Sequence, residues 1–209
     1  MQYHSRQAGF SLIELLVSMT IFSVVMTMAA GTLLVLLDAN AKAQNKQQIL
    51  NNLTVAVDSM SREIRTGYNY VCSTNREEVE VEDDEQDCPS GGRYISFMEA
   101  GSSLTAGSGS DRIAFAFAPN WFTTGHGAIV RRVGDGDGDS DTNEANDWQP
   151  ITARNTVIRD VRFIVTGAEV LTQQPTVTIF IEGEAGDLAE VDADFVIQAS
   201  VTQRPLDIP

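Results

Sequence analysis

The sequence predicts an α+β protein: one long N-terminal helix, membrane-crossing in its first part and amphipathic in its second, packed on a mostly antiparallel β-sheet head. Three observations carry this expectation. From Leu15 to Leu37 the chain runs without a charge and mostly apolar for about 23 residues, where about 20 suffice to cross the hydrocarbon core of a bilayer. Downstream, Ile49, Leu53, Val57, Met60 and Ile64 recur at the spacing of one helical face. After Gly67 the pattern changes to short runs rich in Val, Ile, Phe and Thr, several alternating with period two.

The first element is a short polar leader, residues 1–9, ending at Gly9 and followed by Phe10. An ordinary secretory signal carries its small-residue cleavage site after the apolar region, whereas here Gly9 stands before it. Cleavage after Gly9 would therefore leave the apolar helix attached. Arg6, with His4 beside it, lies on the leader side, and this basic bias predicts a cytoplasmic leader with everything after Asp38 outside. One carboxylate, Glu14, stands at the mouth of the apolar run. A carboxylate there is unfavourable by a few kcal/mol unless it finds a partner, so it is a functional candidate. After a cut at Gly9 the new amine of Phe10 is one helical turn from Glu14. A cationic amine on a neighbouring subunit would serve as well, and so would lipid headgroups if Glu14 is merely interfacial.

The run Gly9-Phe10-Ser11-Leu12-Ile13-Glu14-Leu15-Leu16-Val17 resembles the class III signal of type IV prepilins and type II secretion pseudopilins, a likeness that extends to about Leu37. The resemblance implies cleavage by a membrane aspartyl prepilin peptidase between Gly9 and Phe10 and methylation of the new N-terminus. It also implies a role for Glu14 in adding the subunit to a helical filament. The implied organisation is a leader at 1–9, a transmembrane and filament-core helix at 10–37, an amphipathic continuation at 38–66 and a β-rich head at 67–209. The segment Asp58-Ser59-Met60-Ser61-Arg62-Glu63-Ile64-Arg65 looks like the helix region of J-type pseudopilins and PilW-like minor pilins.

No Pro or Gly interrupts Thr32 to Thr66, so one helix from Phe10 to about Thr66 would extend about 85 Å. Lys46, Asn51, Asn52, Ser59, Arg62 and Glu63 supply its polar side, and Gly67 is a natural stop. In the apolar half, Ser23, Thr27 and Gly31 form a small-residue strip that would let neighbouring helices approach, although such residues are also ordinary passengers of lipid-facing helices. Strands are expected at Arg93–Met98, Asp111–Ala118, Ala128–Val133, Val157–Thr166, Thr176–Glu182 and Phe195–Gln203, with a second, smaller sheet beside the main one. Val161, Phe163 and Val165 would share a face, as would Val177, Ile179 and Ile181, and the stripe Ile49 to Ile64 is the natural cover. The Gly- and Ser-rich stretch Ala100 to Ser110 is expected to be a flexible connection.

The formal charge of −15 is concentrated: eight acids lie in Glu77 to Asp87 and six in Asp135 to Asp147, so the rest of the chain is close to neutral. Nothing in this distribution offers nucleic acid the clustered Lys and Arg it requires. Cys72 and Cys88 are the only cysteines, and outside the cytoplasm they would form a disulfide enclosing the first acidic run. Asp135, Asp137, Asp139 and Asp141 alternate as in a calcium loop and are candidate Ca2+ ligands, but Ser140 and Asn146 stand where an EF-hand requires Gly and Glu. A solvated acidic turn is the alternative. Pro119-Asn120-Trp121-Phe122 would be either an adhesive tip or the cap of a core.

Catalysis finds little support. His4 belongs to the leader, His126 has no identifiable nucleophile, and Gly107-Ser108-Gly109-Ser110 lacks the setting of a nucleophile elbow. The expected protein is a non-enzymatic minor pilin or pseudopilin, single-pass in the cytoplasmic membrane with its head outside, and then part of a filament. Its partners would be prepilin peptidase, other pilin or pseudopilin subunits and the membrane. The alternatives are a surface-binding module borne on the filament and an anchored envelope protein that never assembles.

Overall fold

The computed structural model describes residues 9–76, 84–99, 112–123, 125–133, 148–170, 173–187 and 190–204. Helix α1 covers Leu12–Thr66, and among the described residues nine strands follow: β1 Tyr68–Ser73, β2 Cys88–Gly92, β3 Tyr94–Met98, β4 Arg112–Thr123, β5 His126–Val133, β6 Gln149–Pro150, β7 Thr156–Thr166, β8 Thr176–Asp187 and β9 Glu190–Thr202. This is the expected α+β arrangement of one long helix and an antiparallel sheet. The chain divides into two units, Met1–Gln44 and Asn45–Pro209, and α1 contributes to each.

Among the described residues of the first unit, α1 stands without protein cover. Phe10 is 85% exposed, and Leu12, Ile13, Leu15, Leu16, Phe22, Val25, Leu34 and Leu37 are exposed beside it. Its polar side chains are turned inward on the helix itself: the hydroxyls of Ser18, Ser23, Thr27 and Thr32 donate to the carbonyls of Leu15, Met19, Ser23 and Ala29 at 2.8–2.9 Å. Thr20 does the same to Leu16 at 2.5 Å. Hydroxyls satisfied in this way add little polarity to the surface that the helix presents.

In the second unit Ile49, Leu53, Ala56, Met60 and Ile64 of α1 are buried against the sheet. The expected stripe is corrected at one position: Ala56 takes the central place and Val57 is half-buried at its edge. The helix ends where the Gly67 amide donates to the Glu63 and Ile64 carbonyls at 3.0 and 3.2 Å. The Tyr70 hydroxyl caps the same end, donating to the carbonyls of Ile64 (2.5 Å) and Gly67 (2.8 Å). A side chain at residue 67 would collide with the Phe97 ring, so the stop is also a close approach that only glycine permits.

The strand order is β1-β3-β4-β5-β7-β8-β9, with β2 on β7 and β6 on β5, and all these pairings are antiparallel. The expected second sheet is not separate: β5 joins β7 through Gly127 opposite Ile158, where a Cβ at residue 127 would meet the Ile158 carbonyl at 2.5 Å. Val161, Phe163 and Val165 lie directly across from Ile181, Ile179 and Val177, so both expected faces form one side of the sheet and close on α1.

Strand bounds differ from expectation where tertiary pairing decides them. β4 runs on through Pro119-Asn120-Trp121-Phe122 to Thr123, β8 continues to Asp187, and β9 begins at Glu190. β1, β2 and the short β6 were not expected. β2, with the sequence Cys-Pro-Ser-Gly-Gly, has no strand propensity of its own. Its place is held by the ladder to β7, by the Cys72–Cys88 disulfide and by Asp87, whose carboxylate accepts from the Gly167 and Ala168 amides at 3.0 and 2.8 Å.

A buried cation lies beside β1. Asn69 adopts a left-handed conformation (φ 55°) at the irregularity between Tyr68 and Val71. It presents its side-chain oxygen at 2.5 Å and its carbonyl at 2.6 Å to the guanidinium of Arg112, which is 3% exposed and also donates to Ser96 Oγ at 3.0 Å. These bonds satisfy a charge that would otherwise be strongly unfavourable in the interior.

Candidate functional site

The N-terminal segment is the site that the sequence singles out. Gly9, Phe10 and Ser11 precede α1 and are exposed, so the Gly9–Phe10 bond lies outside helical hydrogen bonding. The helix starts from the Ser11 carbonyl, which accepts from the amides of Glu14 (3.1 Å) and Leu15 (3.2 Å). Glu14 therefore sits in the first turn, where the helix dipole favours an anion. Beyond it lies the apolar run, and α1 is the helix among the described residues long and apolar enough to cross a membrane.

Along the small-residue strip, Ser23 and Thr27 bond into their own helix, and a Cβ added at Gly31 would meet open space. Among the described residues of the first unit, nothing covers the strip or its apolar neighbours.

Cys72 and Cys88 are brought together as a disulfide with a Cα–Cα distance of 5.6 Å, joining β1 to the start of β2. The Gln86 amide donates to the Tyr70 carbonyl at 2.9 Å, and the Cys72 amide donates to the Gln86 carbonyl at 3.1 Å, so backbone bonds flank the bridge. Burial, reinforced by the charge of Asp87 and opposed by Arg112, pushes the Glu85 carboxyl above its ordinary value. Burial first, and then Glu85, push the Tyr70 hydroxyl far above its usual range.

Asp135, Asp137, Asp139 and Asp141 lie outside the described residues, as does Ala100 to Ser110. Among the described residues no group of three or more His, Cys, Asp or Glu is arranged to hold a metal ion. Trp121 is 36% exposed near the end of β4, and the Arg154 guanidinium covers the Phe122 ring at 5.4 Å. The two aromatics thus divide, one half in solvent and one under a cation. Sequence reasoning missed the surroundings of Trp121, namely Tyr94, Trp148 and Arg76. The signal that could have found them is the alternation Ile113-Ala114-Phe115-Ala116-Phe117-Ala118.

An exposed Gly9–Phe10 junction, one acid in the first helical turn and an uncovered apolar helix are compatible with a membrane-anchored protein. Residues 4–30 match the family model of the prokaryotic N-terminal methylation motif. The chain thus carries the N-terminal signal of the type IV pilin and pseudopilin family, whose members are generally structural rather than catalytic. No curated protein and no solved structure matches it.

Proposed function

We infer that this chain is a structural minor pilin or pseudopilin, cut after Gly9 by prepilin peptidase and assembled through the first part of α1 into a type IV pilus or type II secretion pseudopilus. The observation that carries this reading is the methylation motif at residues 4–30, coupled to a helix whose apolar side chains have no protein cover. Before assembly, lipid covers those side chains, and the protein resides in the cytoplasmic membrane with its head outside. On assembly, the helices of neighbouring subunits replace the lipid. Glu14 then meets the amine of an adjacent Phe10, which turns an unfavourable acid in an apolar setting into a preference for register. The strand-rich head and the Asp58–Arg65 likeness support a place in the initiating or tip complex.

Intact mass of the protein isolated from its own membrane, together with crosslinking to other filament subunits, tests this. A mature chain beginning at Phe10 and crosslinked through α1 is the expected result. A chain that retains Met1, or a mature chain that makes no subunit crosslinks, contradicts the reading and favours an anchored envelope protein. Ca2+ coordination by Asp135, Asp137, Asp139 and Asp141 is a separate proposal from the sequence. Calorimetry tests it: binding heat that is lost when Asp137 and Asp139 become Asn supports the site, and absence of heat removes it.

A further inference from the structure

The two ends of the sheet are finished differently. At one end the outer edge of β1 is closed: the Cys72 amide donates to the Gln86 carbonyl, the Gln86 amide donates to the Tyr70 carbonyl, and the Cys72–Cys88 disulfide holds the segment in place. At the other end stands β9, and among the described residues its one strand neighbour is β8. The register shows which backbone groups this leaves open. Gln203 donates its amide to the Pro175 carbonyl, so the odd-numbered residues of β9 exchange hydrogen bonds with β8, from Val201 opposite Val177 to Phe195 opposite Gly183. Asp194, Val196, Gln198, Ser200 and Thr202 therefore turn their amides and carbonyls outward. All five are exposed, Val196 to 70%. The Arg204 amide, next in the series, confirms the direction, since it donates to the Arg65 carbonyl of α1 at 2.9 Å.

Open edges of this length are normally blunted by Pro, Lys, a bulge or a covering segment. From Phe195 to Thr202 there is no Pro, Gly or Lys, and the register shift between β8 and β9 lies beyond this stretch, at Ala185 and Gly186. An apolar ledge runs beside the edge. At about 3.6 residues per turn, Glu63, which pairs with Arg131 of β5, marks one flank of the buried stripe of α1, and Leu50 and Val57 fall on the other. The strand order puts β5 and β9 on opposite sides of the β7 and β8 core that α1 covers, so this second flank lies on the β9 side. Val57, Phe195 and Ile197 are half-buried against the core, and Leu50 is 37% exposed. One further strand would complete their cover.

The occupant that such an edge selects is an extended polypeptide, because another strand repeats donors and acceptors at this spacing and seats alternate side chains on the ledge. The two ends of the edge give it a direction. Arg65 and Arg204, both exposed, are joined through their backbones at the C-terminal end of β9, and Asp194, its side chain 72% exposed beside Arg159, stands at the other. An antiparallel strand matches these charges with an acid near its N-terminus and a base near its C-terminus. A second copy of β9 is a poorer fit. Two identical edges pair about a two-fold axis normal to the sheet, which would send their α1 helices in opposite directions, whereas on the proposed function both are anchored in one membrane. We propose that the outer edge of β9 docks an extended segment of a different protein, added antiparallel as the next strand of the sheet with its acidic end toward Arg65 and Arg204.

The test uses the full chain in detergent and the peptide acetyl-Glu-Val-Thr-Val-Thr-Val-Thr-Val-Arg-amide, which spans Asp194 to Thr202. One form carries N-methyl groups on two valines, whose amides would face away from β9, so that the peptide cannot stack on itself. A second form carries them on two threonines, whose amides would face β9. Residue-resolved amide exchange by NMR reads the docking, with peptide up to about 1 mM because a short flexible strand binds weakly. In the free protein the amides of Val196, Gln198 and Ser200 are expected to exchange fast and those of Ile197, Ala199 and Val201 slowly. The valine-methylated peptide is expected to slow the first set about tenfold or more, and a form with Glu and Arg exchanged to dock about threefold more weakly. The threonine-methylated peptide is expected to leave exchange unchanged. Gln198→Pro removes an outward amide and none of the bonds to β8, and is expected to abolish docking. If that variant fails to fold, the two methylated peptides decide on the parent chain. Outward amides already slow without peptide, equal protection by both methylated peptides, protection by neither, or equal docking of the charge-exchanged form would overturn the proposal. Protection that grows with protein concentration in the absence of peptide would also overturn it, by assigning the edge to a second copy.

Discussion

Glu63 on α1 and Arg131 on β5 form a 2.8 Å ion pair, with their side chains 24% and 31% exposed. The pair fixes the rotation of α1 over the sheet, because Glu63 sits one residue before the buried Ile64 and Arg131 lies two residues beyond the buried Ile129. Its environment is intermediate between exposed pairs, which contribute about 0.2–1 kcal/mol, and buried ones, whose disruption costs about 3–5 kcal/mol. A double-mutant cycle with Glu63→Ala and Arg131→Ala should return a coupling of about 1 kcal/mol in urea unfolding. A coupling indistinguishable from zero would mean that apolar packing alone orients the helix.

Tyr70 predicts an alkaline limit to stability. Its hydroxyl caps the end of α1, and a phenolate could neither donate to the Ile64 and Gly67 carbonyls nor tolerate its burial. The folded state therefore holds the proton more tightly than the unfolded chain does. The stability this contributes is complete below the unfolded value of about pH 10 and is lost as pH rises beyond it. Tyr70→Phe should destabilise by about 1–2 kcal/mol near neutrality. Melting curves taken between neutral and strongly alkaline pH should show a shallower decline in the variant than in the parent protein.

Glu85 has the same sign in a different window. Its carboxyl is pushed up by burial and by Asp87, so its contribution is complete below the ordinary glutamate value of about 4.3 and is lost as pH rises through its raised value. Glu85→Gln, which resembles the protonated acid, should therefore raise the melting temperature at pH 7 and make little difference near pH 4. Equal melting temperatures at both pH values would show that Arg112 fully compensates the burial.

The helix and the central strands were legible because their burial is periodic. Ile49, Leu53, Met60 and Ile64 follow the helical repeat, and Val161, Phe163 and Val165 alternate as strand residues do. The choice of Ala56 over Val57 was not legible, since it depends on how closely the sheet approaches. The outer ends of β8 and β9 carry acids and glycines in place of apolar alternation. They are strands because they pair with each other, with Gly183 leaving room for the Phe195 ring, which a Cβ there would approach to 2.6 Å. The signal at Gly9, Phe10 and Glu14 is local and could be read directly. The surroundings of Trp121 were legible only in part: the alternating alanines mark the small-residue face of β4, but Tyr94 and Trp148 reach Trp121 only once β3 and β6 have paired with β4 and β5.

The disulfide and Asp87 share one task, so their losses should not add. Closing a loop of about 15 residues is worth about 3 kcal/mol by chain entropy. In the native state, however, the Asp87 bonds to Gly167 and Ala168, and the bond from the Asp87 amide to Glu169 at 3.0 Å, hold the same segment against the β7–β8 connection. Cys72→Ser with Cys88→Ser should cost about 3 kcal/mol or somewhat less, and Asp87→Ala alone about 1–2 kcal/mol. Together they should cost more than the sum, since β2 then has no strand propensity to fall back on. Strict additivity in denaturant unfolding would show that the bridge and the carboxylate act on separate parts of the head.

Under the proposed function, variants of Glu14 should separate processing from assembly. The exposed Gly9–Phe10 junction lies before α1, and Glu14 lies within it, so on the proposed reading peptidase recognition and filament incorporation would engage different atoms. If Glu14 serves only to reach lipid headgroups, Gln would do nearly as well, since it too can hydrogen-bond there. If Glu14 meets the amine of a neighbouring subunit, the charge itself is required, because an ion pair in an apolar setting is far stronger than a neutral hydrogen bond. Glu14→Gln should therefore leave the intact mass of the processed chain at its normal value while reducing crosslinks to neighbouring subunits about tenfold or more. Gly9→Leu should do the reverse and leave the leader attached. Normal crosslinking of Glu14→Gln would remove the acid from assembly, and loss of cleavage in that variant would assign it to the peptidase instead.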